Sequence, residues 1–130
     1  MPHSRVVRWT ICILLALLTD TALGATRGIW ISPAEIQALP MSGPAWNNVN
    51  NSANGSWGTP DMANQDTKHG VLVLGGALVY VRTGNAAMRA KVRDGILAGK
   101  RTHDDLPEYG RTLSLGRQLC AYVIAADLID

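Results

Sequence analysis

From Val71 to Val81 the chain reads VLVLGGALVYV, a run without one charged or amide side chain. Wound into a helix, it is apolar on nearly every side, so it has no face to give to water and must be sheathed by other elements. A chain built around such a helix cannot be a single amphipathic layer. The residues just before it, NQDTKHG, are polar. Gln65 and His69 are four apart and share a helical face, which continues through Leu72, Gly76 and Tyr80. An amide, an imidazole, a glycine gap and a phenol therefore fall on one stripe, and that stripe is the place to look for function. A histidine at a helix start also suits a cap-region or partly buried role, so both readings stand.

The rest of the composition narrows the class. The 130 residues carry a formal net charge of +2 with 17% charged side chains, which argues against nucleic-acid binding and against disorder. Phe is absent, and bulk comes from Leu, Val, Ile and Met with four Trp and three Tyr. The many Ala and Gly residues let helices approach closely.

Residues 1–24 have the order of an export signal: Arg5 and Arg8, an apolar stretch from Thr10 to Leu18, then Ala22-Leu23-Gly24 as a small-residue cleavage site. The mature chain is expected to begin near Ala25 and to be periplasmic or secreted. The apolar run is too short to span hydrocarbon, so no membrane span is expected after cleavage. Processing removes Cys12 and leaves Cys120, whose surroundings, LCAYVIAA, predict a small buried hydrophobe.

In chain order, Ser32-Pro33-Ala34-Glu35 has the form of a capping box with Pro at the first helical position, and Pro40 stops the helix. Gly43-Pro44-Ala45-Trp46 opens a second one. The segment Asn50 to Pro60, NNSANGSWGTP, reads as a loop. Its Trp57 either plugs the loop onto the body or stands free to stack on a sugar ring. Two Asn-x-Ser patterns there are treated as chance. Gly84 is placed as a left-handed C-cap of the central helix and Asn85 as the cap of the next. That next helix, from Ala86 to Lys100, has Met88, Val92 and Ile96 on one face and basic residues on a solvated one. A polar connection follows from Arg101 to Thr112. Its His103-Asp104-Asp105 cluster lacks a second converging set of ligands, so no metal site is expected. Ser114 is expected to open a last helix with Leu115, Leu119, Tyr122, Val123, Ala126 and Ile129 on its apolar face. Arg117 and Asp127 inside it call for partners or a polar cleft.

That helix is still running at Asp130, which predicts that the chain continues beyond it and that this portion alone makes a poor domain. A buried helix, an amphipathic one and another buried one follow the order of paired-helix barrels, in which outer helices sheath inner ones.

Three segments in order, ISPAEIQALPMSGPAW, NQDTKHGVLVLGGALVYVRTGN and GRQLCAYVIAADLI, give the chain a resemblance to the N-terminal part of bacterial polysaccharide lyases of the alginate lyase superfamily. The resemblance spans nearly all of residues 25–130. It implies an all-α fold, part of an incomplete α/α barrel or toroid, and an exported enzyme acting on alginate or glucuronan without a required metal or cofactor. The implied reaction is β-elimination: a base removes the C5 proton, amides or cations neutralise the adjacent carboxylate, and a Tyr protonates the leaving oxygen. The family's catalytic Asn or His, Arg and Tyr are expected beyond Asp130. On this wall of the cleft the resemblance points to Asn64, Gln65 and His69, with Arg117 and Tyr122 from the last helix, as contacts to an acidic polysaccharide. Two other classes compete. One is a non-catalytic carbohydrate-binding or interaction module. The other is a glycoside hydrolase on the same barrel, which would need a carboxylate pair for which Asp66 and Asp127 are the candidates.

Overall fold

The computed structural model describes residues 28–64, 66–102 and 111–130. Every regular element among them is a helix, as expected for an all-α chain. The elements are α1 (Pro33–Ala38), α2 (Gly43–Asn54), α3 (His69–Thr83), α4 (Ala86–Arg101) and α5 (Arg111–Ile129). The export signal and the His103-Asp104-Asp105 cluster lie outside the described residues.

Local chemistry sets most of the boundaries. Ser32 and Glu35 form the reciprocal capping box, with Ser32 Oγ accepting from the Glu35 N–H and the Glu35 carboxylate accepting from the Ser32 N–H at 2.8 Å. Gly84 ends α3 in the left-handed region at φ 67°, a conformation that costs glycine nothing. Asn85 Oδ1 then accepts from the N–H groups of Ala87 and Met88 to start α4.

α3 is the centre of the packing. It lies most extensively against α5, then against α4 and α2, with α1 across its C-terminal half. Val73, Ala77, Val92, Tyr122, Ala125 and Leu128 join Ile36 and Met62 in one core, and Ala53, Val79 and Met88 make a smaller cluster beneath α2. The sheath is open at Val71, which stays 64% exposed on the first turn of α3.

Four local expectations change. α2 continues to Asn54, well into the segment read as a loop. Ala53 is fully buried under Val79 and Met88, and Asn54 Nδ2 donates to the Asn50 carbonyl, so packing outweighs the poor helix propensity of the Asn-rich sequence. α5 begins at Arg111 rather than Ser114, and its buried face is turned: Gln118, Ala121, Tyr122, Ala125 and Leu128 point inward while Leu119, Val123 and Ala126 are exposed. Cys120 is exposed for the same reason, and is no core hydrophobe. On α4, Lys91 leaves the solvated face. Its ammonium donates to the carbonyls of Ala53 and Gly55 at 2.8 and 2.7 Å and lies 4.2 Å from the Trp57 ring centroid, closing the C-terminus of α2.

Candidate functional site

The polar entrance to α3 is a series of turns rather than a helical turn. Asp61 Oδ1 accepts from the Ala63 and Asn64 N–H groups, and Asn64 Oδ1 accepts from the Asp66 N–H. The helix starts at His69, after Lys68 in the cap position, and Lys68 offers no side-chain cap. Asn64 is exposed and precedes the helix, and Gln65 lies outside the described residues. Within α3 the stripe runs from His69 through Leu72, Gly76 and Tyr80.

His69 turns inward. Its Nδ1 lies 2.7 Å from the Tyr122 hydroxyl, and the two side chains are 4% and 5% exposed. Trp57 stands edge-on to the imidazole, with the planes at 90°. The indole reaches this depth because Gly76 and Gly95 leave a slot. A Cβ at Gly76 would lie 2.7 Å from Trp57 Cζ2, and one at Gly95 would meet Val73 Cγ2 at 2.8 Å. Trp57 Nε1 donates to the Ala53 carbonyl, so the loop aromatic is a plug that joins α2, α3 and α4.

Burial acts on both titratable members. It lowers the His69 pKa from its ordinary value of 6.5 and pushes the Tyr122 phenol up to about 12. Both are neutral at pH 7. With the imidazole proton on Nε2, Nδ1 accepts from the phenol. Gln118, one turn before Tyr122, is 4% exposed and donates from Nε2 to the Thr67 carbonyl. It secures the same corner, and its place four residues before Tyr122 was the available sequence signal. Gly70 and Gly99 permit the close approach: Gly70 faces Gln118 and the Tyr122 ring, and a Cβ at Gly99 would lie 2.6 Å from Tyr122 Cζ.

The other named residues separate from this pair. Arg117 is exposed on α5. Asp127 Oδ2 accepts from the Ile29 N–H at 2.8 Å and so ties the segment before α1 to α5. Asp66 is exposed in the turn before α3. Tyr122 also borders a groove of about 470 Å³ between α4 and α5, together with Ile96, Leu119 and Val123 and with Lys100 as its charge. Among the described residues there is no cluster of three or more His, Cys, Asp or Glu placed to hold a metal ion, and no helix long and apolar enough to cross a membrane. His69 and Tyr122 are thus brought together in the core, Asn64 and Arg117 are left on the surface, and no family model, curated protein or solved structure matches the chain.

Proposed function

We propose that this chain is the N-terminal portion of a polysaccharide lyase that cleaves an acidic uronan, alginate or glucuronan, by β-elimination in the periplasm or outside the cell. The reading rests on the ordered resemblance of three segments, and one structural observation supports it above others. α3 is apolar on nearly every side and is packed by α1, α2, α4 and α5, while its successor α4 is amphipathic with Arg93 and Lys100 in water. An inner helix followed by an amphipathic outer one is compatible with a barrel of paired helices, and supports that reading to this extent. In this reading Asn64 and Arg117 are the accessible contacts, an amide and a guanidinium suited to hydroxyls and carboxylates. His69 and Tyr122 hold α3 to α5, and through that packing position the residues around the entrance of α3. The carboxylate pair that a hydrolase needs has less support, because Asp127 is engaged by the Ile29 N–H.

The test is product chemistry. The protein expressed from its complete gene is incubated with alginate and with glucuronan, and the unsaturated uronate is followed by its absorbance. Formation of that product supports the lyase reading. Binding without product on every uronan would give the role to the carbohydrate-binding alternative.

A further inference from the structure

Asn54 alone among the asparagines of the chain is followed by glycine. Both residues are exposed, and they form the C-terminal edge of α2. The backbone at Gly55 does not require glycine: it is extended, at φ −72° and ψ −175°, and an added Cβ would lie 3.4 Å from the nearest atom, the Asn51 carbonyl oxygen. What glycine brings here is a backbone nitrogen with no Cβ to shield it, next to an amide side chain that water reaches. The fold holds the two groups apart. The Gly55 N–H donates to the Asn51 carbonyl at 3.0 Å, and Asn54 Nδ2 donates to the Asn50 carbonyl at 2.8 Å, one turn back along the helix. The same edge is clamped from α4 by the Lys91 ammonium on the Ala53 and Gly55 carbonyls, and Trp57 Nε1 adds a second bond to the Ala53 carbonyl.

We propose that Asn54 is a site of self-modification by deamidation, closed while the Lys91 clamp holds the end of α2 and open when that end frays. In the open state the Gly55 nitrogen forms a bond to Asn54 Cγ and the Cγ–Nδ2 bond breaks. The departing amide nitrogen takes up the Gly55 proton through solvent and leaves as ammonia. Water then opens the cyclic imide. Opening at Cγ restores the main chain with a carboxylate side chain. Opening at the former main-chain carbonyl gives isoaspartate, in which the chain runs through Cγ and is longer by one methylene. Either product puts a negative charge at the negative end of the α2 dipole. Isoaspartate also changes the spacing of the Ala53 and Gly55 carbonyls that Lys91 bridges. The reaction is therefore a one-way release of the α2 edge from α4. Fraying of a helix end needs far less free energy than global unfolding, so the rate reports the opening of this edge. The site uses none of Asn64, His69, Arg117 or Tyr122 and stands apart from the lyase reading.

The unaltered chain is incubated in mildly alkaline buffer, folded and in urea, and the peptide holding Asn54 is followed by mass spectrometry for conversion of amide to acid, with isoaspartate marked by enzymatic methylation. In urea Asn54 should convert at least tenfold faster than any other asparagine, and Gly55→Ala should remove that advantage. In the folded chain Asn54 should convert at least tenfold more slowly than in urea. Lys91→Met, shown to be folded by circular dichroism, should convert at least threefold faster than the folded parent, whereas Arg93→Met, which alters an exposed charge on α4, should keep the parent rate. Where Lys91→Met fails to fold, hydrogen exchange at the Gly55 N–H of the unaltered chain decides: the folded rate should match the urea rate scaled by the open fraction that exchange gives, and a mismatch refutes the gate. Equal rates in the folded chain and in urea, an unchanged rate in folded Lys91→Met, or no preference for Asn54 in urea would overturn the proposal.

Discussion

The Nδ1 atom of His69 and the hydroxyl of Tyr122 meet at 2.7 Å although 53 positions separate them in sequence, and this contact links the first turn of α3 to the middle of α5. Both side chains are buried, so neither has water as a substitute partner. Tyr122→Phe keeps the ring and leaves the imidazole nitrogen unsatisfied, which should lower unfolding free energy by about 1–3 kcal/mol. His69→Gln with Tyr122→Phe completes a double-mutant cycle. Urea denaturation should give a coupling energy well above zero, and additivity would show that the short distance carries no energy.

The same pair predicts a two-sided pH profile. The folded His69 has a pKa lowered from 6.5, so below about pH 6.5 the unfolded state takes up the proton more readily and stability falls as pH falls. Tyr122 is pushed up to about 12 from 10.0, so above pH 10 the unfolded state loses its proton first and stability falls as pH rises. Between those limits the two side chains contribute a plateau. Urea midpoints measured at pH 7.5 and pH 5 should differ less in His69→Gln than in the parent chain. An unchanged difference would assign the acid sensitivity to other groups.

The Trp57 slot predicts a steric penalty for the smallest side chain. In Gly76→Ala the new methyl meets Trp57 at 2.7 Å and Val92 at 2.9 Å, which should cost about 1–3 kcal/mol through overpacking despite the better helix propensity of alanine. Gly116, on α5, has nothing within 4 Å of an added Cβ, so Gly116→Ala should be neutral or stabilising. Thermal melts of the two variants separate packing from propensity directly.

Lys91 should be worth more than a surface lysine. Its ammonium meets two carbonyls and the Trp57 face, and desolvation lowers its pKa. Lys91→Met keeps much of the aliphatic volume and removes the donors, with an expected loss of about 1–3 kcal/mol. Arg93→Met, which breaks only an exposed pair with Asp94, should change stability by about 0.5 kcal/mol or less. Equal effects in denaturant titrations would refute the clamp.

For the proposed lyase, Asn64→Ala and Arg117→Ala are the informative variants, because both residues are exposed and their loss leaves the core intact. If they meet the uronan, kcat/KM on the preferred polymer should fall at least tenfold, about 1.4 kcal/mol of transition-state stabilisation, with an unchanged melting temperature in Arg117→Ala and a small decrease in Asn64→Ala, which also loses the turn bond to the Asp66 N–H. Full activity in both would remove this surface from the cleft.

The helix boundaries that depend on a few neighbouring atoms were legible in the chain itself: the capping box at Ser32 and Glu35, the left-handed Gly84 and the Asn85 cap all act within one helical turn. The central position of α3 was legible too, since a helix with no polar face can lie only inside. What the sequence left undecided is which side of each polar residue meets what. His69 and Tyr80 share a stripe by spacing, yet Tyr122 draws His69 inward from a helix 53 positions away. The rotation of α5, which exposes Leu119, Val123 and Cys120 and buries Gln118, has the same origin. An apolar helix offers several nearly equivalent faces, and the close approach at Gly70 and Gly99 together with the Gln118 bond to Thr67 selects one of them. Periodicity supplies the existence of a helix because that is local, whereas packing carried α2 on to Asn54 through a sequence of poor helix propensity. Tertiary packing alone sets its rotation and its polar partners, because a hydrogen bond between distant residues has no counterpart in spacing.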